Sequence, residues 1–185
     1  MARLRYDVVK HGPLRAVGGL IQVSQRNGKI IVGKRRKKVT SVSDYQFEAR
    51  QQFKKASTYA RASLNVPERL ELYEGKARLG VSAYNVAVRD YLTPPEIVEI
   101  INTSYTGVAG GRIDIIATDD VSVHSVSVSI FTAMDTLVES GEAVKPEEGF
   151  WYYTSTGISP LLEGTRVVVT AMDIPGNAAT AELVL

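Results

Sequence analysis

The sequence predicts an α+β protein built from two modules, a basic one in residues 1–93 and an acidic one in residues 94–185. An Asn-Gly turn lies between two β-branched runs near the start, and apolar residues recur at helical spacing from residue 43. After a double proline, short runs rich in Val, Ile, Thr and Tyr alternate with turn residues. We therefore expect a basic β-hairpin and about three α-helices, followed by a seven-stranded antiparallel β-sandwich.

A β-hairpin is predicted at the start of the first module. Residues 17–23 and 29–33 are rich in β-branched side chains, and they flank Arg26, Asn27 and Gly28. Asn and Gly both tolerate the positive φ that a two-residue hairpin turn requires. The basic tract that follows residue 33 predicts a hairpin of strongly positive charge.

Three helices are predicted between residues 43 and 92. Apolar residues recur every three or four positions along one face of the first helix: Tyr45, Ala49, Phe53, Ala56, Ala60 and Leu64. Ser43 and Gln46 fit a capping box at its start. Pro67 predicts the first turn of a second helix that reaches Leu79, and Ser82 predicts the cap of a third. The apolar stripe of the third helix consists of Tyr84, Ala87, Val88, Tyr91 and Leu92.

The module boundary is predicted at Pro94, because consecutive prolines exclude helix and push the preceding residue toward extended geometry. The seven predicted strands cover residues 97–104, 112–117, 126–132, 137–144, 150–155, 165–172 and 178–185. Val121 and Val123 alternate out of phase with Val126, Val128 and Ile130. A one-residue slip inverts every side chain, so residues 119–125 are predicted to be a connecting loop or bulge.

Charge is sorted along the chain. Residues 1–65 carry fifteen Lys/Arg and three Asp/Glu, a net charge of +12, and residues 66–92 carry four of each. Residues 93–185 carry three Lys/Arg and thirteen Asp/Glu, a net charge of −10. Such a chain has a strong electrostatic dipole, and its basic end attracts nucleic acid, an anionic surface or the acidic end of another copy.

Ten basic residues are the candidate binding residues for nucleic acid or an acidic partner: Arg26, Lys29, Lys34, Arg35, Arg36, Lys37, Lys38, Arg50, Lys54 and Arg61. The last three lie on the polar face of the first helix, so the charge of the hairpin is expected to continue along it. Phosphate binding, an acidic protein partner and a solvated charged face all stay open. Of the aromatic residues in the first helix, only Phe47 and Tyr59 lie off its apolar face. Proteins that bind single-stranded nucleic acid place more aromatic residues among their basic residues than this.

The sequence predicts no catalytic site, cofactor, metal site or small-molecule substrate. It has no cysteine, and its two histidines, His11 and His124, lie in different modules. Glu147 and Glu148 fall in an exposed Pro/Glu/Gly turn, where burial cannot tune their acidity. Other carboxylates near predicted loops are a candidate calcium site, although turn formation is the favoured interpretation: they are Asp119, Asp120, Asp135, Asp173, Glu139 and Glu142.

Four segments of the second module carry a family resemblance: residues 113–120, residues 126–130, residues 151–154, and residues 167–173 with Gly176 and Asn177. Together they resemble bacterial immunoglobulin-like or fibronectin type III-like domains, which often end with a Val-x-Ala-x-Asp strand and a Gly-Asn turn. The resemblance implies a sandwich that serves as a spacer or interaction surface. The first module is similar to basic N-terminal regions of uncharacterised bacterial proteins, and this likeness implies no function.

These observations predict a non-enzymatic structural or assembly protein that forms a homo-oligomer or a larger assembly, with a phage virion as the analogy. The alternative is a nucleic-acid-binding protein that contacts phosphates through the basic module. Residues 1–10 lack the continuous apolar stretch of a secretory signal, and no run approaches the roughly 18 apolar residues that span a bilayer. We therefore expect no membrane partner, and a protein that is cytoplasmic or incorporated into a virion or other large assembly.

Overall fold

Residues 21–26, 29–34, 41–157 and 162–185 are described by a computed structural model, and they form three α-helices and nine β-strands. The architecture is therefore α+β, as the sequence predicts. The chain divides into two compact units, residues 1–48 and residues 49–185. The second unit holds most of the helical segment and all of the strands that follow it.

In the first unit, β1 (Ile21–Arg26) and β2 (Lys29–Lys34) form a two-stranded antiparallel sheet. Ile21 lies opposite Lys34, and Arg26 lies opposite Lys29. The predicted turn residues Asn27 and Gly28 lie outside the described residues.

Three helices follow the strand pair: α1 (Asp44–Ser63), α2 (Pro67–Lys76) and α3 (Ala83–Leu92). The Ser43 hydroxyl accepts a hydrogen bond from the Gln46 amide at 3.3 Å, which is one half of the predicted capping box, and the predicted Ser82 cap of α3 is present. Pro67 occupies the first turn of α2, where its missing N–H costs no helical hydrogen bond. Helix α2 ends three residues before the predicted end at Leu79, because the backbone becomes extended at Ala77.

Seven strands form two antiparallel sheets after residue 95. The three-stranded sheet has the order β3-β4-β7, and the four-stranded sheet has the order β6-β5-β8-β9. Each predicted strand coincides with one of them, and their ends differ from the prediction by at most three residues. The strands are β3 (Glu96–Ser104), β4 (Arg112–Thr118), β5 (Val123–Phe131), β6 (Leu137–Glu142), β7 (Trp151–Thr154), β8 (Arg166–Asp173) and β9 (Ala178–Val184).

Strand β5 begins at Val123, three residues before the predicted start. Its register against β8 shifts between Val123 and Ser125. This irregularity absorbs the change of phase, so that Val123 and Val126 are both buried. A phase change at this position is therefore confirmed, but residues 123–125 are strand rather than connecting loop.

One apolar core lies between the two sheets. Alternate residues of the four-stranded sheet are fully buried there: Val126, Val128, Ile130, Val167, Val169 and Ala171. The three-stranded sheet contributes Ile113, Ile115, Trp151 and Tyr153. Each fully buried Val or Ile stabilises the fold by roughly 1.5–3 kcal/mol. This core lies wholly within residues 97–185.

The helices join the sheets through a second apolar cluster and an asparagine side chain. Val121 and Ile174, which lie just before β5 and just after β8, belong to one apolar cluster with residues of all three helices. The Asn177 carboxamide nitrogen lies 3.2 Å from the carbonyl oxygens of Asp90 and Tyr91, near the end of α3. These contacts cross the predicted module boundary at Pro94, and they lie within a single compact unit.

Among the described helices, none is both long enough and apolar enough to cross a membrane.

We expect residues 94–185, expressed alone, to fold as an all-β domain, because the apolar core between the sheets lies entirely within them. Their melting temperature should be lower than that of the full chain, since Val121 and Ile174 lose the helices that cover them. Circular dichroism and thermal melts of both proteins test this. A helical spectrum, or the absence of a cooperative transition, would show that the boundary at Pro94 is wrong.

Candidate interaction surface

Helix α1 buries only the C-terminal half of its predicted apolar face. Ala56 and Ala60 are fully buried, whereas Tyr45 is 80% exposed and Phe53 is 55% exposed. Every residue from 44 to 55 is exposed. Helix α1 has twenty residues and α2 and α3 have ten each, lengths of about 30 Å and about 15 Å. The first three turns of the predicted apolar face are therefore exposed, because the shorter helices cover only the last turns.

Three of the predicted binding residues, Arg50, Lys54 and Arg61, share one exposed face of α1. Their spacings of four and seven residues correspond to whole turns of an α-helix. The ion pairs among the described residues use other cations, namely Arg89, Arg112 and Arg166. We call the exposed residues Ala49, Arg50, Phe53 and Lys54 the α1 surface.

The other predicted binding residues belong to the first unit. Arg26 and Lys29 lie opposite each other at one end of the strand pair, and Lys34 lies at the other end. The remaining residues of the basic tract, Arg35, Arg36, Lys37 and Lys38, fall outside the described residues. A continuous basic surface from the strands to α1 stays a prediction.

Many carboxylates of the acidic region have local partners. Asp120 pairs with Arg89 at 2.9 Å, and Arg166 pairs with both Asp135 and Glu182. Asp119 accepts hydrogen bonds from two backbone amides of its own loop. Within residues 41–157 and 162–185, no group of three acidic or histidine side chains is arranged to hold a metal ion. With the exception of Glu142, the carboxylates of the candidate calcium site therefore act in turns and ion pairs within these residues.

Glu139, which lies on β6, anchors the segment that follows β7. Its carboxylate accepts hydrogen bonds from the Thr156 and Gly157 amides, both at 2.8 Å, and from the Ser155 and Thr156 hydroxyls. Burial alone raises the pKa of Glu139, but these hydrogen bonds outweigh burial and hold the pKa below its usual value. Glu139 is therefore a structural carboxylate.

The connection between β6 and β7 carries a second exposed surface, which combines acidic and apolar side chains. Val144 and Tyr152 exchange two backbone hydrogen bonds, at 2.8 and 2.9 Å, which close the base of this loop. Among the described residues, its glutamates have no cationic partner, and Lys145 lies over the Trp151 ring instead. We call the following exposed residues the β6–β7 surface: Glu142, Val144, Glu147, Glu148 and Phe150.

A buried polar network links the three helices, and sequence reasoning missed it. The Tyr73 hydroxyl on α2 donates to the Asp90 carboxylate on α3 at 2.7 Å. The Tyr59 hydroxyl on α1 lies 2.9 Å from that of Tyr73. Asp90 follows the buried residues Val86 and Ala87 by four and three positions. That helical spacing was the signal in the sequence, since it places Asp90 on the buried face of α3.

Asp90 is fully buried, and its second carboxylate oxygen, Oδ1, has no hydrogen-bond partner among the described residues. Burial raises the pKa of Asp90 to about 6, while the hydrogen bond from Tyr73 opposes this rise. The nearby charges of Asp119, Asp173 and Asp120 raise the pKa further. Burial likewise raises the pKa of the Tyr73 phenol. The network therefore contains a carboxyl group that changes charge slightly below neutral pH.

Comparisons of the chain with protein-family models, with curated proteins and with solved structures found no match in any of the three.

Replacing Asp90 by Asn should flatten the dependence of stability on pH. The folded pKa of about 6 exceeds the ordinary value of 3.8, so the folded state binds a proton more tightly between these two pH values. The free energy of unfolding therefore falls as pH rises through this window, by up to about 3 kcal/mol. Asp90→Asn keeps an acceptor for Tyr73 without the charge.

Urea unfolding of both proteins at about pH 4 and about pH 7 measures this effect. The exposed variant Asp44→Asn serves as the control and should retain the wild-type difference between the two pH values. An equal pH dependence in wild type and Asp90→Asn would contradict the assignment.

Proposed function

We propose that the protein is a non-enzymatic structural or assembly protein, which contacts other subunits through surfaces of opposite charge. The proposal rests on the segregation of charge along the chain: residues 1–65 have a net charge of +12, and residues 93–185 have a net charge of −10. It is supported by the exposed cations Arg50, Lys54 and Arg61, which no carboxylate of the described residues neutralises. Opposite surfaces on copies of one chain attract each other at long range.

The partner in this proposal is another copy of the chain. Docking of a basic surface on a different, acidic surface of the next copy is a heterologous contact. Such contacts build rings if the rotation between copies closes, and filaments if it does not. By analogy, these geometries suit a component of a virion or another large assembly.

The strand pairing supports an immunoglobulin-like sandwich as part of the proposal. Counted from β3, the first, second and fifth strands pair in one sheet, and the third, sixth and seventh pair in the other. Immunoglobulin domains have the same two sets of pairings. The fourth strand, β6, pairs with the third strand here, whereas the constant-type domain pairs it with the fifth. A fold of this kind carries function only through its surface residues.

The alternative function is phosphate binding to nucleic acid by the basic residues. The observation that favours it is the common exposed face of Arg50, Lys54 and Arg61, which suits a row of phosphates. Such binding would depend steeply on salt and little on base sequence, because neutralised phosphates release counterions.

The mass of the full chain in solution, measured at about 0.05 M and about 1 M salt, tests the proposal. We expect oligomers at low salt that dissociate at high salt, because exposed charges are screened beyond about 3 Å at 1 M. The same measurement is repeated at low salt with duplex DNA and with single-stranded RNA.

A monomer at both salt concentrations that forms a complex only with DNA or RNA would replace the assembly proposal by the nucleic-acid alternative. A monomer under every condition would contradict both functions. An oligomer that persists at about 1 M salt would show an apolar interface in place of a charged one.

A further inference from the structure

Resting on the proposed function, we infer that the α1 surface of one copy docks on the β6–β7 surface of a second copy. Both surfaces belong to residues 49–185, which form one compact unit. One side of the contact combines an aromatic ring with cations, and the other side combines an aromatic ring with carboxylates.

The α1 surface has the character of an uncovered interface. Phe53 lies one turn before the fully buried Ala56 and on the same stripe, yet its side chain is about half exposed. Arg50 and Lys54 lie beside it, both on the same side around the helix, and both are exposed. An amphipathic helix with an uncovered aromatic residue is a recurring form of docking element, which lays its apolar face on a partner.

The β6–β7 surface presents exposed acidic and apolar side chains on a loop whose base is fixed. The backbone hydrogen bonds between Val144 and Tyr152 hold the loop at its base, so its outer residues need little further ordering on binding. Phe150 is 50% exposed, and the carboxylates of Glu147 and Glu148 lie close before it in the chain. The loop thus offers an aromatic ring and two adjacent carboxylates.

The two surfaces are complementary in charge, and each has its two charged residues close together along the chain. Arg50 and Lys54 lie one helical turn apart, about 5–6 Å between Cβ atoms, and Glu147 and Glu148 are adjacent in the chain. Both cations can therefore reach a carboxylate while Phe53 lies near Phe150. Aromatic rings in contact prefer offset or edge-to-face arrangements and are enriched at protein interfaces.

Pairing of α1 with α1 of a second copy is less favourable. Arg50 lies at the centre of the exposed segment 44–55, so a two-fold axis there would bring the two Arg50 side chains together. Like charges at an interface oppose association. The acidic β6–β7 surface removes this conflict, and it makes the contact heterologous.

The contact is small, because it involves only half of one helix and one loop, whereas a standard interface buries roughly 800 Å² per partner. Exposed ion pairs contribute little individually. A single contact is therefore weak and sensitive to salt, and repetition around a ring or along a filament strengthens it.

Charge reversal in the full chain tests the docking. We would prepare the double variant Arg50→Glu/Lys54→Glu and the double variant Glu147→Lys/Glu148→Lys, and verify folding of each by circular dichroism. Each variant alone should self-associate at least about tenfold more weakly than wild type at low salt, because opposite charges become like charges. An equimolar mixture should recover association, since the reversed α1 surface of one variant fits the reversed loop of the other.

The control is Glu96→Lys/Glu99→Lys, which changes the net charge as the loop variant does, at an exposed acidic pair on β3. It should associate as wild type does. Association of both α1 and loop variants at the wild-type level would overturn the docking and leave the charge-driven assembly intact. Loss of association without recovery in the mixture would also overturn it. A wild-type chain that is monomeric at low salt would contradict both the docking and the proposed function.

Discussion

The attachment of the helices to the sandwich is the constraint on which the rest of the structure depends. Asn177 satisfies carbonyl oxygens at the end of α3, which a helix terminus leaves without partners. Asp173 holds the same turn by accepting the Gly176 and Asn177 amides at 2.8 and 2.6 Å. Because an unsatisfied buried polar group costs about 1–3 kcal/mol, these contacts favour one arrangement of α3 on the sheets. The hydrogen bonds that run from Asp90 through Tyr73 to Tyr59 connect α3 to α2 and α1, and so favour one arrangement of these helices too.

Because the helices and sheets have a fixed arrangement, this arrangement determines which charged side chains can pair with one another. The cations of α1 and the glutamates of the β6–β7 loop belong to the same unit, yet no ion pair of the described residues joins them. Among the described residues, these cations and glutamates therefore do not neutralise one another, and each set is open to solvent or to a partner of opposite charge. This is why the distribution of charge bears on assembly more than on the stability of one chain, since exposed pairs stabilise a fold only slightly.

Much of the fold could be predicted because local rules decide it. Period-two alternation and turn residues gave all seven strands after residue 95, and Ser43 and Ser82 marked two helix starts. Coverage by other elements could not be predicted from spacing: Phe53 lies on the predicted apolar face of α1, but the short helices do not reach it. Asp90 was missed because an acidic residue was not counted in an apolar stripe. Among the site residues, Arg50 and Lys54 were predicted on an exposed helix face, whereas Glu147 and Glu148 were interpreted only as turn residues.

Site-directed cross-linking tests head-to-tail docking most directly, because the chain has no cysteine of its own. One full-length variant carries Ala49→Cys on the α1 surface, and another carries Val144→Cys on the β6–β7 surface, so neither loses a charge. A short bismaleimide linker should join the two variants when they are mixed at low salt, and should join neither variant to itself. Efficient cross-linking of Ala49→Cys to itself, or no cross-linking in the mixture, would contradict docking between copies of this chain through these two surfaces.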